Sequence, residues 1–169
     1  MNTNAKMDKT QLPYRPCVGI MLLNAENKVW VGQRINQSDQ YPNAWQMPQG
    51  GIDHGEDPRD AAFRELEEEI GTASAIILAQ TQCWLYYELP DHLLGHIWRG
   101  KYRGQKQKWF AMRFTGQDSE VNISTKQPEF SAWQWLDMSD LVKNIVPFKK
   151  AVYAEVVESF AYLKANERR

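Results

Sequence analysis

The sequence predicts a single domain of the mixed α/β class. Three observations lead to this prediction: short apolar runs rich in Val, Ile and Leu, two segments with helical signals, and turn residues between them. The chain has 169 residues, a length that suits one domain with a substantial core. Hydrophobic residues make up 43% of the chain, which is typical of a globular protein. We find no internal repeat or linker that would divide it.

Two strands are expected near the start of the domain. The segment RPCVGIMLLN is apolar and predicts a buried strand, and KVWVGQR can pair with it as a hairpin after the AEN turn. The polar, turn-rich segment INQSDQYPNAW, residues 35–45, predicts a loop. Pro and Gly residues in MPQGGIDHGEDP then precede the first helix.

The first helix is predicted from Pro58 to Ile70. Asp57 can act as its N-cap, and Pro58 occupies the first turn, where proline is favoured. Gly71 is a common residue at a helix end, because glycine adopts the left-handed conformation without strain. Local chemistry therefore defines both ends of this helix.

The second half of the chain predicts further strands and a final helix. AIILAQTQCWLYYELP is expected to form one or two strands that end at Pro90, and QKWFAMRFTG and EFSAWQWL have strand character. The segment from about Phe148 to Ala165 predicts an amphipathic helix packed on the sheet. Its apolar stripe consists of Val152, Val156, Phe160 and Leu163.

Composition excludes several classes of protein. The net charge of −1 argues against bulk coating of nucleic acid, although a local basic pocket is compatible with it. Cys17 and Cys83 fit no metal-site spacing, and we expect both to be buried thiols in a reducing compartment. No apolar run reaches the roughly 18 residues of a membrane span.

Residues 1–13 are expected to be a flexible tail, and residues 14–169 are expected to form the domain. The protein is expected to be cytoplasmic.

Four glutamates crowd the end of the first helix, in RELEEEIG. This position is unfavourable, because the helix dipole leaves the C-terminus partly negative. At about 100° per residue, Glu65, Glu68 and Glu69 share a face opposite the apolar residues of the helix. One interpretation is a solvated acidic face. The other is a site for a hard divalent cation such as magnesium, which binds carboxylate oxygens and cancels their repulsion.

The segment from Gly50 to Thr72, GGIDHGEDPRDAAFRELEEEIGT, resembles the Nudix box of the Nudix hydrolase family. That box is a Gly, five residues, a Glu, seven residues, and then Arg-Glu-apolar-any-Glu-Glu-any-Gly-apolar. Thr72 departs from the final apolar position, a change that concerns packing rather than chemistry. The positions that match are Gly50, Glu56, Arg64, Glu65, Leu66, Glu68, Glu69 and Gly71.

The resemblance implies a Nudix-type α/β/α sandwich with a mixed β-sheet, in which the box forms a loop-helix-loop. It also implies hydrolysis of a nucleoside diphosphate linked to another group. By position, Glu56 and Arg64 are expected to pair and to brace the loop against the helix. Gly50 and Gly71 are expected to be structural.

The resemblance also implies a metal centre. By position, Glu65, Glu68 and Glu69 are expected to bind magnesium, for which manganese or another divalent ion can substitute, whereas Glu67 is assigned to solvent. Glu129, in QPEFSAW, matches a further carboxylate of the family that binds metal or accepts a proton. The sequence leaves open whether Glu69 or Glu129 is the base.

Motifs outside the box point to one branch of the family. YRPCVGI, WQMPQGG, GQKQKWF, PEFSAWQW and PFKK are similar to the branch that removes pyrophosphate from triphosphate-ended RNA, an activity of mRNA decay, or cleaves dinucleoside polyphosphates. RNA ends are the first expectation for the substrate, and a dinucleoside polyphosphate such as diadenosine tetraphosphate is the alternative. The loop at residues 35–45 is slightly longer than is usual in the RNA-specific members.

Cations and aromatic rings beside these motifs are candidate substrate contacts. The phosphates need positive charge, for which arginine offers paired donors and lysine a point charge. Phe148 can stack on a nucleobase beside Val146, or it can instead cap the last helix against the core. The candidate cations are Arg15, Arg34, Lys106, Lys108 and Lys149.

Two other classes of function fit the sequence less well than hydrolysis does. A catalytically silent module that senses a nucleotide or an RNA end would not need every carboxylate of the box, yet all are present. A purely structural acidic helix would not explain why the carboxylates share one face at the unfavourable end. Hydrolysis therefore remains the expectation.

Overall fold

The computed structural model describes residues 8–35 and 41–165. In these residues seven strands form one sheet, and two α-helices pack against it. The elements are β1 (Tyr14–Leu23), β2 (Val29–Arg34), β3 (Gln49–Gly51), α1 (Pro58–Ile70), β4 (Ala75–Gln80), β5 (Leu85–Glu88), β6 (Gly104–Phe114), β7 (Phe130–Leu136) and α2 (Lys150–Ala165).

The sheet is mixed, with β1 and β6 at its centre. Its order is β4-β6-β1-β2-β7, while β3 pairs with β1 and β5 pairs with β6. β1 and β6 run parallel from the Tyr14–Gly104 pair to the Leu23–Arg113 pair, and the other pairings are antiparallel. β3 and β5 therefore flank the same end of the central strand pair.

Alternation along the strands divides the core into two layers. Ile20 and Leu22 of β1 belong to the layer under α1, which also contains Leu66. Met21 belongs to the opposite layer, which contains Val156 of α2. Each face of the sheet is thus covered by one helix, and the predicted α/β/α sandwich is confirmed.

The predicted ends of α1 are also confirmed. The Asp57 side chain accepts a hydrogen bond from the Arg59 N–H at 2.8 Å, and Pro58 is the first helical residue. Gly71 ends the helix in the left-handed conformation with φ of 79°, and its N–H donates to the Glu67 carbonyl. These caps satisfy backbone groups that a helix end leaves without partners.

The other segments agree with the expected pattern, with one correction. β1 and β2 pair as a hairpin, and the long apolar segment before Pro90 forms β4 and β5. Cys17 is buried as expected, but Cys83 is exposed, because it lies in the turn between β4 and β5 rather than in a strand. Both cysteines are free thiols.

Parts of three predicted segments lie outside the described residues. These are residues 1–7 of the tail, residues 36–40 of the loop and residues 166–169 at the end of the predicted domain. Asp8 caps a 3-10 turn at Lys9–Gln11, and the Pro13 carbonyl accepts from the Arg103 N–H at 3.0 Å. The domain boundary at residue 14 stays a prediction.

None of the helices in the described part of the chain is both long and apolar enough to cross a membrane.

Gly71→Ala is expected to destabilise the protein more than Gly55→Ala. Both glycines have positive φ, of 79° and 75°, so an L-residue costs about 1–2 kcal/mol at either position. A Cβ at Gly71 would also lie 2.7 Å from the Asn122 carbonyl oxygen, whereas nothing lies within 4 Å of a Cβ at Gly55. Urea unfolding of both variants measures the difference. Equal losses would show that the contact with Asn122 has no energetic consequence.

Candidate active site and metal centre

Two adjacent glycines let charged side chains approach β3 closely. A Cβ at Gly50 would lie 2.0 Å from the Glu65 carboxyl carbon, and a Cβ at Gly51 would lie 2.6 Å from Nη2 of Arg15. Any larger residue would displace one of these groups. Sequence reasoning assigned a structural role to Gly50 but missed Gly51, whose need for a small side chain arises from a residue 36 positions away.

Arg64 connects the loop, β3 and α1 through its guanidinium group. It donates from Nε and Nη2 to the two Glu56 carboxylate oxygens at 2.9 and 2.8 Å, and from Nη2 to the Gly51 carbonyl at 2.8 Å. Nη1 donates to Glu65 at 2.8 Å and lies 3.3 Å from a Glu68 oxygen. This contact with Arg64, together with a hydrogen bond from the Asp53 N–H, lowers the pKa of Glu56 to about 2.

Glu69 lies in a different environment from the one expected. The helical projection placed it on the acidic face away from the core, but its exposed fraction is only 6%. β3 covers it, and the Gln49 N–H donates to its Oε2 at 3.3 Å. Burial raises the pKa of Glu69 well above its usual range, and the nearby charges of Glu65 and Glu129 raise it further.

The carboxylates border a cavity of about 530 Å³ between α1 and residues 125–129. As they stand, no three His, Cys, Asp or Glu side chains in residues 8–35 and 41–165 are grouped to hold a metal ion. Arg64 instead engages Glu65 and Glu68. The donors nevertheless suit a hard divalent cation, since they are carboxylate oxygens and one of them, on Glu69, is buried beside other negative charges. The cavity is lined by Arg64, Glu65, Glu67, Glu68, Glu69, Thr125, Lys126, Gln127 and Glu129.

Glu129 stands opposite Arg34 at the edge of this cavity. It immediately precedes β7, and Nη2 of Arg34 on β2 lies 3.9 Å from its Oε2. The two side chains are 45% and 49% exposed, so both can be reached by a ligand. Arg34, a predicted contact of the substrate, therefore lies beside Glu129, the predicted fourth carboxylate of the metal centre.

Lys149 is the buried cation of the site. It lines a cavity of about 10 Å³, room for about one water molecule, and its Nζ lies 5.9 Å from the Tyr87 ring centroid and 5.7 Å from that of Phe148. No carboxylate in the described residues forms a salt bridge with it. Burial lowers the pKa of Lys149 to about 8, and the charge of Arg34 contributes. The cavity is lined by Gln49, Tyr87, Gln107, Trp109, Lys149, Val152 and Tyr153.

Phe148 and Val146 lie beside this cavity. The Phe148 ring is half-buried and packs against Tyr87 with centroids 5.6 Å apart. Both residues also pack on the core layer under α2. Phe148 therefore has a packing role and retains an accessible part.

Arg15 reaches the same face of the sheet and is held from two sides. Nη1 donates to the Cys17 sulfur at 3.4 Å, and the guanidinium carbon lies 5.5 Å from the centroid of the Trp98 ring. Trp98 was missed by the sequence analysis. Nothing in its local sequence indicates that residues 90–103 return to the start of β1.

Lys106 and Lys108 do not line the Lys149 cavity, and their contact with the substrate stays a prediction. Gln107 points into the cavity, where its Nε2 donates to Oε1 of Gln49 at 3.3 Å. Because side chains alternate along β6, the two lysines point to the opposite face, where both lie over the Trp84 ring.

Glu56→Gln is expected to lower the melting temperature at pH 7 but to have little effect near pH 2. The folded pKa of Glu56, about 2, is below its usual value of 4.5, so its contribution to stability is present above pH 4.5 and is lost as pH falls towards 2. Thermal unfolding across this range measures the difference from wild type. Glu26→Gln, at an exposed glutamate, is the control. A pH-independent difference would contradict the role of the charged pair.

Comparisons with known proteins agree with the fold and with the motif. The family model for the NUDIX domain matches residues 13–156. An RNA pyrophosphohydrolase of Rhodospirillum rubrum is 53% identical over 161 residues, which cover 95% of each chain. One from Roseobacter denitrificans is 56% identical over 152 residues, covering 89% of this chain and 93% of that one.

Solved structures show the same architecture. A C. elegans Ap4A hydrolase in a binary complex superimposes with a TM-score of 0.62 at 20% identity, covering 87% of this chain and 98% of that one. The E. coli dihydroneopterin triphosphate pyrophosphohydrolase gives 0.59 at 19% identity, covering 87% and 99%. At these identities the likeness concerns the fold alone. The family model and the relatives together show that this chain belongs to the Nudix family.

Proposed function

We propose that this chain is an RNA 5′-pyrophosphohydrolase, which releases pyrophosphate from a 5′-triphosphate end and leaves a 5′-monophosphate. The observation that carries the proposal is a cluster of carboxylates around buried Glu69 that lies beside a buried cation, Lys149, and an aromatic pair. A polyphosphate with one nucleobase needs these three features together. The RNA pyrophosphohydrolases that are more than half identical to the chain support the same substrate.

Three cations are available for the phosphate chain. Lys149 and Arg34 lie close enough for the Arg34 charge to lower the pKa of Lys149, and Arg15 approaches the same face beside β3. Bringing such charges together is unfavourable without an anion, so a polyphosphate would relieve their repulsion. We assign all three to phosphate binding, with Arg15 oriented by Trp98.

The nucleobase is assigned to the aromatic end of the same face. Tyr87 is buried and Phe148 is half-buried, and their rings pack together beside Lys149. A base that stacks on the accessible part of Phe148 would gain about 1–3 kcal/mol. Val146 would contribute apolar contact.

Glu65, Glu68, Glu69 and Glu129 are assigned to a divalent metal centre, for which we propose magnesium, with manganese as a substitute. When bound there, the cation supplies charge neutralisation of the phosphate oxygens and a lowered pKa of bound water. Water attacks phosphorus in line with the leaving group, and its proton needs an acceptor. We assign this role to Glu69, which the Gln49 N–H holds beside the other carboxylates, with Glu129 as the second candidate.

We place the enzyme in the cytoplasm, in mRNA decay, where triphosphate-ended transcripts would be its substrate. Two free thiols are compatible with a reducing compartment.

The first test compares substrates. Triphosphate-ended RNA and diadenosine tetraphosphate would be supplied to the purified protein with magnesium, and kcat/KM measured for each. We expect a strong preference for the RNA and release of pyrophosphate. A preference for the dinucleotide would instead make the protein a dinucleoside polyphosphate hydrolase. Turnover of neither would point to a silent module that binds nucleotides or RNA ends.

Glu69→Gln is expected to reduce kcat roughly 10²–10⁴-fold, the range for loss of a general base. Its melting temperature without metal should not fall, because the neutral amide removes the cost of a buried carboxylate whose pKa is raised. Glu68→Gln should also impair turnover, through the metal, without loss of stability, since its side chain is 57% exposed.

Glu67→Gln is the matched control on the same helix, because Glu67 is exposed and we assign it no role. Activity, melting temperature and the stabilisation by added magnesium would be measured for all three variants. Full activity of Glu69→Gln, or equal losses in Glu67→Gln, would contradict the proposed metal centre.

A further inference from the structure

The sheet carries a second group of cations and rings on the face opposite Lys149. We call it the outer strand surface and define it by Trp84, Tyr86, Lys106 and Lys108. The Lys106 and Lys108 ammonium groups lie 4.7 and 4.9 Å from the centroid of the same Trp84 ring. Tyr86 is 51% exposed, and its ring is held edge-on by Tyr14 at 4.9 Å between centroids.

The charge of this surface is not balanced by the protein. Lys106 and Lys108 are two residues apart on one strand, so their side chains share one face and their charges repel. Within residues 8–35 and 41–165, neither forms a salt bridge with a carboxylate. The nearby Arg103 differs, because its guanidinium is paired with Glu88 at 3.0 Å. Two unpaired ammonium groups held over one ring form a site for an anion.

The outer strand surface lies on the same face of the sheet as the Glu65 carboxylate. Lys108 is paired with Val18 of β1, Val18 is paired with Gly50 of β3, and Glu65 lies against Gly50. On the Lys149 face, the cavity runs from Gln49 of β3 across Gln107 of β6 to Tyr87 of β5. Among the strands of the described residues, β5 pairs only with β6 and therefore forms an edge. Tyr86, the residue before Tyr87, points to the other face of that edge. Because Glu65 and Lys108 share a face of the sheet, an RNA whose 5′ phosphates lie at the proposed metal centre can extend along this face to Lys106 and Tyr86.

We propose that the outer strand surface binds the single-stranded RNA that follows the first nucleotides of the substrate. Lys106 and Lys108 contact its phosphodiester groups, and the exposed Tyr86 ring stacks on a base. This inference rests on the proposed function, and it assigns to that enzyme a second contact surface for its RNA substrate.

The pairing of cations with an exposed ring selects RNA over other anions. Proteins that bind single strands without sequence preference combine positive charge along the backbone with aromatic stacking. An acidic protein partner would use the lysines but would leave the Tyr86 ring without a flat partner. The net charge of −1 confines such binding to a local surface, since the whole chain provides no positive field.

The test compares Lys106→Gln/Lys108→Gln and Tyr86→Ala with wild type. The matched control is Lys28→Gln/Lys143→Gln, which removes the same charge at exposed lysines elsewhere. Binding of a 5′-hydroxyl RNA of about twelve unpaired nucleotides, about the site size of a single-strand binding fold, would be followed by fluorescence anisotropy at several salt concentrations. Hydrolysis would be measured with a triphosphorylated dinucleotide and with the triphosphorylated form of the longer RNA.

The double lysine variant is expected to bind the longer RNA about tenfold more weakly, as the loss of two phosphate contacts implies. The slope of log K against the logarithm of the salt concentration should become shallower by about 1.4, since each phosphate contact to a single strand contributes about 0.7. Tyr86→Ala should weaken binding without changing the slope. For kcat/KM, the double lysine variant should show a loss with the longer RNA and none with the dinucleotide.

An unchanged salt slope, or equal losses with the dinucleotide and the longer RNA, would overturn the proposal. Weakening by the control variant to the same extent would also overturn it, because the effect would then reflect overall charge. Failure of the proposed function would look different: wild type would bind the RNA but would hydrolyse neither triphosphate substrate.

Discussion

The site depends on the contacts of one guanidinium group. Arg64 binds Glu56 from the loop, the Gly51 carbonyl from β3 and Glu65 from its own helix, each at 2.9 Å or less. It therefore positions three segments and compensates part of the charge that crowds the end of α1. A divalent cation at the proposed metal centre would compete with Nη1 of Arg64 for Glu65, while the two bonds from Arg64 to Glu56 would persist. The loop thus stays attached to the helix whether or not the carboxylates turn to a metal.

Two buried charges of opposite sign remain only partly compensated. Among the described residues, Glu69 accepts one hydrogen bond, from the Gln49 N–H, and burial raises its pKa. Burial lowers the pKa of Lys149 to about 8. Both shifts mean that the charged forms destabilise the fold. A cation on the side of Glu69 and phosphates on the side of Lys149 would compensate both. Groups whose ionisation is costly until a ligand arrives are typical of functional sites.

Local features were predictable from sequence, and relations between distant segments were not. The caps of α1 and each strand follow from residues within one short segment, and the Glu56–Arg64 pair follows from the resemblance to the Nudix box. The burial of Glu69 does not, because a helical projection contains no information about β3, which covers that side of α1. For Lys106 and Lys108, alternation correctly places both on one face of β6. Which face holds the cavity is determined by α2, more than 40 residues later.

The segment at residues 90–103 shows the same limit in its backbone. Trp98 and Arg99 both adopt positive φ, of 50° and 57°, at a cost of about 1–2 kcal/mol each. Neither residue type favours that conformation, so no turn rule predicts it. The strained backbone directs the Trp98 ring to Arg15, and the ring also packs on the core layer under α2 and against Tyr102. Packing offsets the strain, and a guanidinium in the proposed phosphate site gains a fixed orientation that only the folded chain can provide.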